Sequence, residues 1–358
     1  MWTGAWRDAP CRALRTLIGA AAIAGCADSA DAQSLAARGD HFTVDGHPQF
    51  LLFISYFDGV RRVPRDRPGD TAILERDLDF FVARGLSGIR VWPNTPQSPD
   101  ETLMRCDGSL RPEELARLRL LLAQAATRRL MVDLTFTREH VLDAGQPCLT
   151  LDDYRTGVVA VARRLIDEPH VLFDLQNEWN VPRIVNDPSP WTAQALLAVR
   201  DAVKAVHPDR LVTASTSGLG EQEAARFATT RSEVTGAGWD VLTYHDPREP
   251  GWARATGAVV ERLRRAVTQR QPGGLPIHLQ EPSRCGYDDC AVEHYEIAVR
   301  EARRAGAAGW TFHHDPDKDL DSDIPIWEML TPSERDVLTR LRPASDSVPW
   351  GRTREPGR

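Results

Sequence analysis

Short apolar segments, four to seven residues long and each followed by polar or aromatic residues, recur along most of this chain. Segments with helical periodicity separate them. Apolar runs of this kind are typical of strands that are buried on both faces of a parallel sheet. Eight runs at intervals of about 30 to 40 residues predict an α/β fold, a single-domain (β/α)8 TIM barrel. The runs are 50–55, 88–92, 130–135, 171–176, 211–215, 240–244, 275–281 and 309–312.

The segments between the runs have the period of amphipathic helices. Three of them, 113–128, 152–166 and 192–206, place apolar residues on one face, which we expect to pack against the barrel. Before the first run, a hairpin with its turn at Asp45-Gly46 is expected to cover the barrel floor. A doubly wound sheet is the weaker alternative, because the sequence contains no glycine-rich phosphate-binding motif.

Two of the predicted strands end in a carboxylate. The fourth run leads into Asn177-Glu178, and the seventh run ends at Glu281. The carboxyl ends of barrel strands form the mouth where chemistry takes place, so these two carboxylates are expected to face each other. Glycoside hydrolysis requires such a pair: one carboxyl protonates the leaving oxygen, and the other attacks the anomeric carbon or activates water.

Asn177-Glu178 on strand four and Glu281 on strand seven together resemble the clan A retaining (β/α)8 glycosidases, which include the cellulase and mannanase family five enzymes. The resemblance implies that Glu178 is the acid/base, Glu281 the nucleophile and Asn177 a ligand of the sugar 2-hydroxyl. Gly88-Ile-Arg-Val-Trp on strand two resembles the family's arginine motif, so the cation of Arg90 would keep the nucleophile ionised. His245 stands where many clan members have a strand-six histidine.

Three positions depart from the family pattern. Thr135 replaces the usual histidine after strand three, Pro247 replaces a tyrosine after strand six, and His313 replaces the tryptophan floor after strand eight. These departures leave both carboxylates in place and favour a divergent branch of the clan. Aromatic faces at a barrel mouth stack on sugar rings, so we select Trp92 and Trp179, together with His313, as substrate-binding residues.

The predicted function is that of an exported retaining glycoside hydrolase that cleaves a β-linked poly- or oligosaccharide by double displacement. Two alternatives use the same barrel: an inactive carbohydrate-binding surface lipoprotein, which the departures motivate, and a transglycosylase. No cofactor is predicted. No metal site is predicted either, because the first strand has no His-x-His and the cysteines lack metal-ligand spacing. Asp133 and Asp174 are interpreted as structural.

Charge and the N-terminus restrict partners and location. The formal charge of −7 opposes a nucleic-acid partner, which requires a concentrated basic face, whereas a carbohydrate fits this balance. Three arginines precede the short apolar segment 17–25, which is typical of a secretory leader, here 1–32. The tetrad that ends at Cys26 resembles a bacterial lipobox, so the protein is either lipid-anchored at Cys26 or released by cleavage after Ala32, to the periplasm or the medium.

Four cysteines follow the leader, at Cys106, Cys148, Cys285 and Cys290. An even number of cysteines in an exported protein is typical of disulfides. Cys285 and Cys290 are close enough to form one small loop, which leaves Cys106 with Cys148; this is one of three possible pairings. We expect a monomeric catalytic domain over residues 40–343 and a disordered tail from 344 to 358.

Overall fold

The structure is a computed structural model that describes residues 32–67, 69–94, 101–136, 142–143, 146–181, 191–245, 249–285, 291–314 and 323–341. Several predicted features lie outside these residues. They are residues 1–31 of the leader, with Cys26, the tail 344–358, Pro247 and Cys290. None of the helices within the described ranges is both long and apolar enough to cross a membrane.

Strands and helices alternate along the chain after an N-terminal three-stranded sheet. The strands are β1 (Leu35–Arg38), β2 (His41–Val44), β3 (His47–Gln49), β4 (Leu51–Ser55), β5 (Gly88–Val91), β6 (Met131–Thr135), β7 (Leu142–Asp143), β8 (Gln146–Pro147), β9 (Val171–Asp174), β10 (Val212–Thr213), β11 (Thr216–Ser217), β12 (Leu242–His245), β13 (Ile277–Leu279) and β14 (Gly309–Phe312). The helices are α1 (Ala72–Ala83), α2 (Pro112–Thr127), α3 (Leu151–Arg164), α4 (Ala193–Val206), α5 (Glu221–Ala228), α6 (Trp252–Arg270), α7 (Val292–Ala305), α8 (Ile326–Met329) and α9 (Pro332–Arg340), with a 3₁₀ turn at Gly59–Arg62.

The main sheet closes into a barrel through a strand that is broken in two. Its order is β10, β9, β6, β5, β4, β14, β13, β12, β11, and all of its pairings are parallel. β10 pairs with β9, β11 pairs with β12, and only residues 214–215 separate β10 from β11 in the chain. The two short strands are therefore halves of the fifth barrel strand. The predicted (β/α)8 fold is confirmed, and each of the eight predicted runs contains a barrel strand or its larger part.

Alternate residues of each barrel strand face opposite sides, as the strand period requires. In β13, Ile277 and Leu279 belong to the apolar layer that also contains the buried faces of the helices. His278, between them, lies inside the barrel against the rings of Phe42 and Phe53. The predicted helices at 113–128, 152–166 and 192–206 correspond to α2, α3 and α4 within two residues at each end.

The N-terminal strands cover the lower end of the barrel. Phe42 and Val44 of β2 share one apolar cluster with the inward residues at the start of the barrel strands, such as Leu51 and Leu172. The hairpin turn falls at the predicted Asp45-Gly46, where both residues have positive φ, 52° and 82°, as a type I′ turn requires. With the floor closed by apolar side chains, the upper end of the barrel is left for polar groups.

One predicted disulfide is present, between Cys106 and Cys148. Cys106 lies between β5 and α2, and Cys148 lies between β8 and α3, so the bond joins the segments that follow barrel strands two and three. Cys285 is also disulfide-bonded, and Cys290, its predicted partner, lies outside the described residues. The Cys106–Cys148 bond therefore braces one wall beside the upper end of the barrel.

Candidate active site

Glu178 stands in a sharp turn four residues after the end of β9. Its φ is +50°, a left-handed conformation that non-glycine residues rarely adopt and that costs about 1–2 kcal/mol. The Ser215 hydroxyl receives a hydrogen bond of 3.1 Å from the Glu178 backbone N–H, and the Trp179 N–H donates to the Ser215 carbonyl at 3.1 Å. The break in the fifth strand thus holds the turn that presents the Glu178 carboxyl to the barrel mouth.

Glu281 follows β13 and lies across the mouth from Glu178. One carboxyl oxygen of each residue belongs to a group of ligand atoms that lie within 4.8 Å of one another. The Glu281 side chain is 8% exposed and the Glu178 side chain 13% exposed, so both carboxyls border solvent but are mostly enclosed. A separation of about 5 Å is that of retaining glycosidases, whereas inverting enzymes need more room for a water molecule.

Arg90, on β5, is the cation at the centre of the site and is completely buried. Its Nη1 donates to Glu281 Oε1 at 2.7 Å, and its Nη2 donates to Asn177 Oδ1 at 2.6 Å and to Asp174 Oδ2 at 3.3 Å. Its Nε donates to the Thr135 hydroxyl at 2.9 Å. A buried guanidinium with this set of acceptors stabilises the ionised form of Glu281 and fixes the orientation of the Asn177 amide.

His245, the last residue of β12, lies between the two carboxylates. Its Nδ1 is 2.9 Å from Glu178 Oε1 and 3.7 Å from Glu281 Oε2. Its Nε2 is 3.2 Å from the side-chain oxygen of Gln280. Burial lowers the pKa of His245 to about 4, against the opposing attraction of Glu281, so the imidazole is neutral at pH 7.

Two of the three residues that depart from the family pattern, Thr135 and His313, contact Arg90 or Glu281. Thr135 supplies the acceptor for Arg90 Nε on strand three. His313, after β14, lies with Nε2 at 3.5 Å from Glu281 Oε2 and Nδ1 at 2.8 Å from the Ser55 hydroxyl. The third departure, Pro247, lies outside the described residues. Arg90, His245 and His313 therefore place three nitrogen atoms within 3.7 Å of the Glu281 carboxyl oxygens.

Trp92 and Trp179, which were selected for stacking on substrate, are less exposed than aromatic side chains that offer a free ring face to a sugar. Trp92 is 4% exposed, and it lies between the guanidinium of Arg90, 4.5 Å from its ring centroid, and the ring of Phe57, 4.3 Å away. Trp179 is half-buried and stacks on Phe227 at 4.7 Å. Phe57 is the half-buried member of the Trp92 stack and also meets the His313 ring edge-on at 5.4 Å.

The sequence analysis did not select Phe57 or Gln280. Phe57 comes two residues after β4, and an aromatic residue at the carboxyl end of a barrel strand was the available signal. Gln280 comes one residue before Glu281 and faces the barrel interior by strand alternation from His278. Asp133 and Asp174, interpreted as structural, are fully buried beside Arg90 and both accept hydrogen bonds from Gln280.

Glu178, His245 and Glu281 are also a set of side chains that a metal ion can use as ligands, since their ligand atoms lie within 4.8 Å. The electrostatics oppose a divalent cation there. Arg90 already contacts Glu281 Oε1 at 2.7 Å with a full positive charge, and a second cation beside it meets repulsion in a buried site. The donor set fits acid–base and nucleophilic chemistry better than metal binding.

No protein-family model matches the sequence, and no curated protein matches it. Solved structures match it across most of its length. A variant of the GH5_18 protein from Streptomyces cattleya, in complex with Manβ1-4GlcNAc, is 17% identical with a TM-score of 0.62, over 84% of this chain and 82% of that one. A glycoside hydrolase family 5 mannosidase from Rhizomucor miehei is 15% identical with a TM-score of 0.56, over 79% and 86%. The β-mannanase from the blue mussel Mytilus edulis is 13% identical with a TM-score of 0.58, over 86% and 96%.

The chain shares their fold. At these identities the likeness establishes the (β/α)8 barrel of family 5 glycoside hydrolases, and any activity has to be argued from the side chains described above.

Proposed function

We propose that this chain is a retaining glycoside hydrolase with Glu281 as nucleophile and Glu178 as acid/base. The observation that carries the proposal is the approach of the two carboxyls to within 4.8 Å at the carboxyl ends of barrel strands four and seven. Arg90 binds the proposed nucleophile at 2.7 Å, while the proposed acid contacts a neutral histidine instead. Different surroundings for two neighbouring carboxyls are what distinct acid and nucleophile roles require.

In the first step, Glu281 attacks the anomeric carbon while Glu178 gives its proton to the leaving oxygen, and the glycosidic C–O bond breaks. In the second step, water attacks the anomeric carbon and gives a proton to Glu178. The bond between that carbon and the Glu281 oxygen breaks, so Glu281 leaves as a carboxylate and both groups are restored. The Asn177 carbonyl oxygen accepts from Arg90, which leaves the amide NH2 group for the sugar 2-hydroxyl. His313 and Phe57 border the same space.

A β-mannoside is the substrate that we propose to test first. Its support is that the fold neighbours include a mannosidase and a β-mannanase, and that one neighbour was solved with Manβ1-4GlcNAc. We also propose export, to the periplasm, the medium or a lipid anchor. The disulfides at Cys106–Cys148 and at Cys285 support it, because disulfides persist in oxidising compartments.

Aryl β-mannosides and β-1,4-mannan, with other β-glycans in parallel, test the activity, and NMR of the first product tests retention at the anomeric carbon. Glu281→Ala is expected to reduce turnover to background and Glu178→Ala to reduce it by roughly 10²- to 10⁴-fold. Glu168→Ala is the matched control. Glu168 is a partly buried carboxylate that precedes β9, the strand that Glu178 follows, so it lies at the opposite end of the barrel.

Inversion at the anomeric carbon would overturn the proposal, as would full activity in Glu281→Ala. If the variants lose so much thermal stability that unfolding accounts for the lost turnover, the glutamates are structural. An inactive carbohydrate-binding barrel is not favoured, because both carboxyls and the arginine remain in one connected site. Addition of acceptor sugars to the assay distinguishes a transglycosylase, which would form longer products.

A further inference from the structure

Gln280 connects the proposed acid/base to a buried pair of aspartates through His245. Its Nε2 donates to Asp133 Oδ2 at 2.6 Å and to Asp174 Oδ2 at 3.2 Å. Its Oε1 faces His245 Nε2 at 3.2 Å. All three partners are at least 98% buried, so water does not compete for these hydrogen bonds.

The two aspartates determine which way the Gln280 amide points. The flipped amide would place its carbonyl oxygen against oxygens of two carboxyl groups. Burial raises the pKa of Asp133 to about 7, yet a single proton on Asp133 leaves Asp174, which accepts from Arg90 and from the Ser215 N–H, facing that carbonyl. The orientation with the NH2 group toward the aspartates satisfies every atom.

The amide orientation in turn determines the tautomer of His245. Gln280 Oε1 is only an acceptor, so His245 Nε2 must carry a hydrogen. A neutral imidazole has one N–H, so Nδ1 is then an acceptor. Nδ1 lies 2.9 Å from Glu178 Oε1, a distance that two acceptors avoid but that a protonated carboxyl satisfies.

We propose that Gln280 is a positioning residue that fixes the Nε2–H tautomer of His245, so that His245 Nδ1 accepts a hydrogen bond from the protonated carboxyl of Glu178. The inference rests on the proposed function for its kinetic consequence, but its structural claim does not. Glu178 is protonated at rest because its ionised form would face the Nδ1 lone pair. When Glu178 gives its proton to the leaving oxygen, that hydrogen bond is lost and His245 stays neutral.

The charges around His245 agree with a neutral ring. Besides Glu178, the groups that act on it are Glu281 from β13's end, Asp174 from β9 and Arg90 from β5. The two carboxylates favour the imidazolium and the guanidinium opposes it, while burial outweighs them and keeps the ring neutral.

Nitrogen-15 NMR of the histidine-labelled full chain measures the tautomer directly. The His245 signals are assigned by their loss in His245→Asn. At pH 7 we expect a protonated Nε2 and an unprotonated Nδ1 in the unmodified chain. A protonated Nδ1, in either the other tautomer or the imidazolium, would overturn the inference whether or not the protein hydrolyses a glycoside.

Gln280→Met keeps the length of the side chain but removes the acceptor, and Thr213→Val is its control inside the barrel. Thr213 donates to the Val241 carbonyl at 2.9 Å and lies outside the site. Gln280→Met is expected to lower kcat/KM by roughly 10²-fold for alkyl glycosides, which need an acid, and to leave dinitrophenyl glycosides, which do not, nearly unchanged. Equal losses for both substrates would overturn the inference while leaving the proposed function intact.

Discussion

Replacement of Arg90 by methionine removes the cation at the centre of the site while keeping an unbranched side chain of similar length. The change deletes hydrogen bonds to Glu281, Asn177, Asp174 and Thr135, the first two at 2.7 and 2.6 Å. It leaves two carboxylates that contact the guanidinium, on Glu281 and Asp174, without their counter-ion in the barrel interior.

The loss of one partner from a buried ion pair costs about 3–5 kcal/mol, because the remaining charge stays desolvated. That is a large part of a typical stability of about 5–15 kcal/mol. The sign of its pH dependence follows from the carboxylates. Without the cation they bind protons more readily in the folded state, so the variant loses more stability at pH 8 than at pH 5.

Urea denaturation at pH 5 and pH 8 measures this loss, and the pH dependence of kcat/KM measures the effect on the nucleophile. We expect the acidic limb to move to higher pH by roughly 1–3 units, the usual effect of a neighbouring opposite charge. Arg117→Met is the matched control. Arg117 is 4% exposed and binds Glu114 and the Val63 carbonyl on the outer side of the barrel. Its replacement should therefore reduce stability without moving the acidic limb of the pH profile.

The reasoning would be refuted by an Arg90→Met variant that loses less than about 1 kcal/mol and keeps the wild-type pH profile. Such a result would mean that Arg90 only fills space. A second contrary result is an Arg90→Met variant that loses as much stability as Arg117→Met and keeps an unchanged acidic limb. That result would mean that Arg90 forms a structural ion pair and has no electrostatic role toward Glu281.

Further predictions concern the disulfide, a buried histidine and the aromatic stack. Joint replacement of Cys106 and Cys148 by alanine removes a cross-link between residues 42 positions apart. It is expected to lower the free energy of unfolding in urea by about 4 kcal/mol, and no change would mean that the bond does not constrain the unfolded chain. Burial lowers the pKa of His170 to about 4, so its contribution is present above pH 6.5 and is lost as pH falls toward 4, about 3 kcal/mol in all. His170→Leu should flatten the fall in stability between pH 7 and pH 4, and an unaltered slope would contradict the assignment. Phe57→Ala is expected to raise KM by up to about tenfold with a smaller effect on kcat, and an unchanged KM would exclude substrate stacking at this residue.

The barrel was predictable because its strands are buried on both faces and therefore appear as short, mostly apolar runs. The strand ends carried equally direct signals, since Glu178 and Glu281 interrupt such runs with a carboxylate. The turn chemistry of Asp45-Gly46 fixed the hairpin in the same way. In each of these cases a single local property, hydrophobicity or backbone conformation, determines the outcome.

Long-range pairing inside the barrel was not predictable from those signals. Gln280, Asp133 and Asp174 come from strands seven, three and four, and only closure of the barrel brings them together. Trp92 was selected for its ring face, but one side is occupied by Arg90 and the other by Phe57. Which face of an aromatic side chain is available depends on its neighbours in space.

The left-handed backbone at Glu178 has a consequence for how this position changes under selection. Glycine adopts that conformation at no steric cost, so folding alone favours glycine over glutamate there. Random variation screened only for heat resistance should enrich glycine at this position, whereas variation screened for turnover should retain glutamate. The position therefore separates the two selective pressures on one residue, and the glutamate in this sequence is the outcome that selection for chemistry predicts.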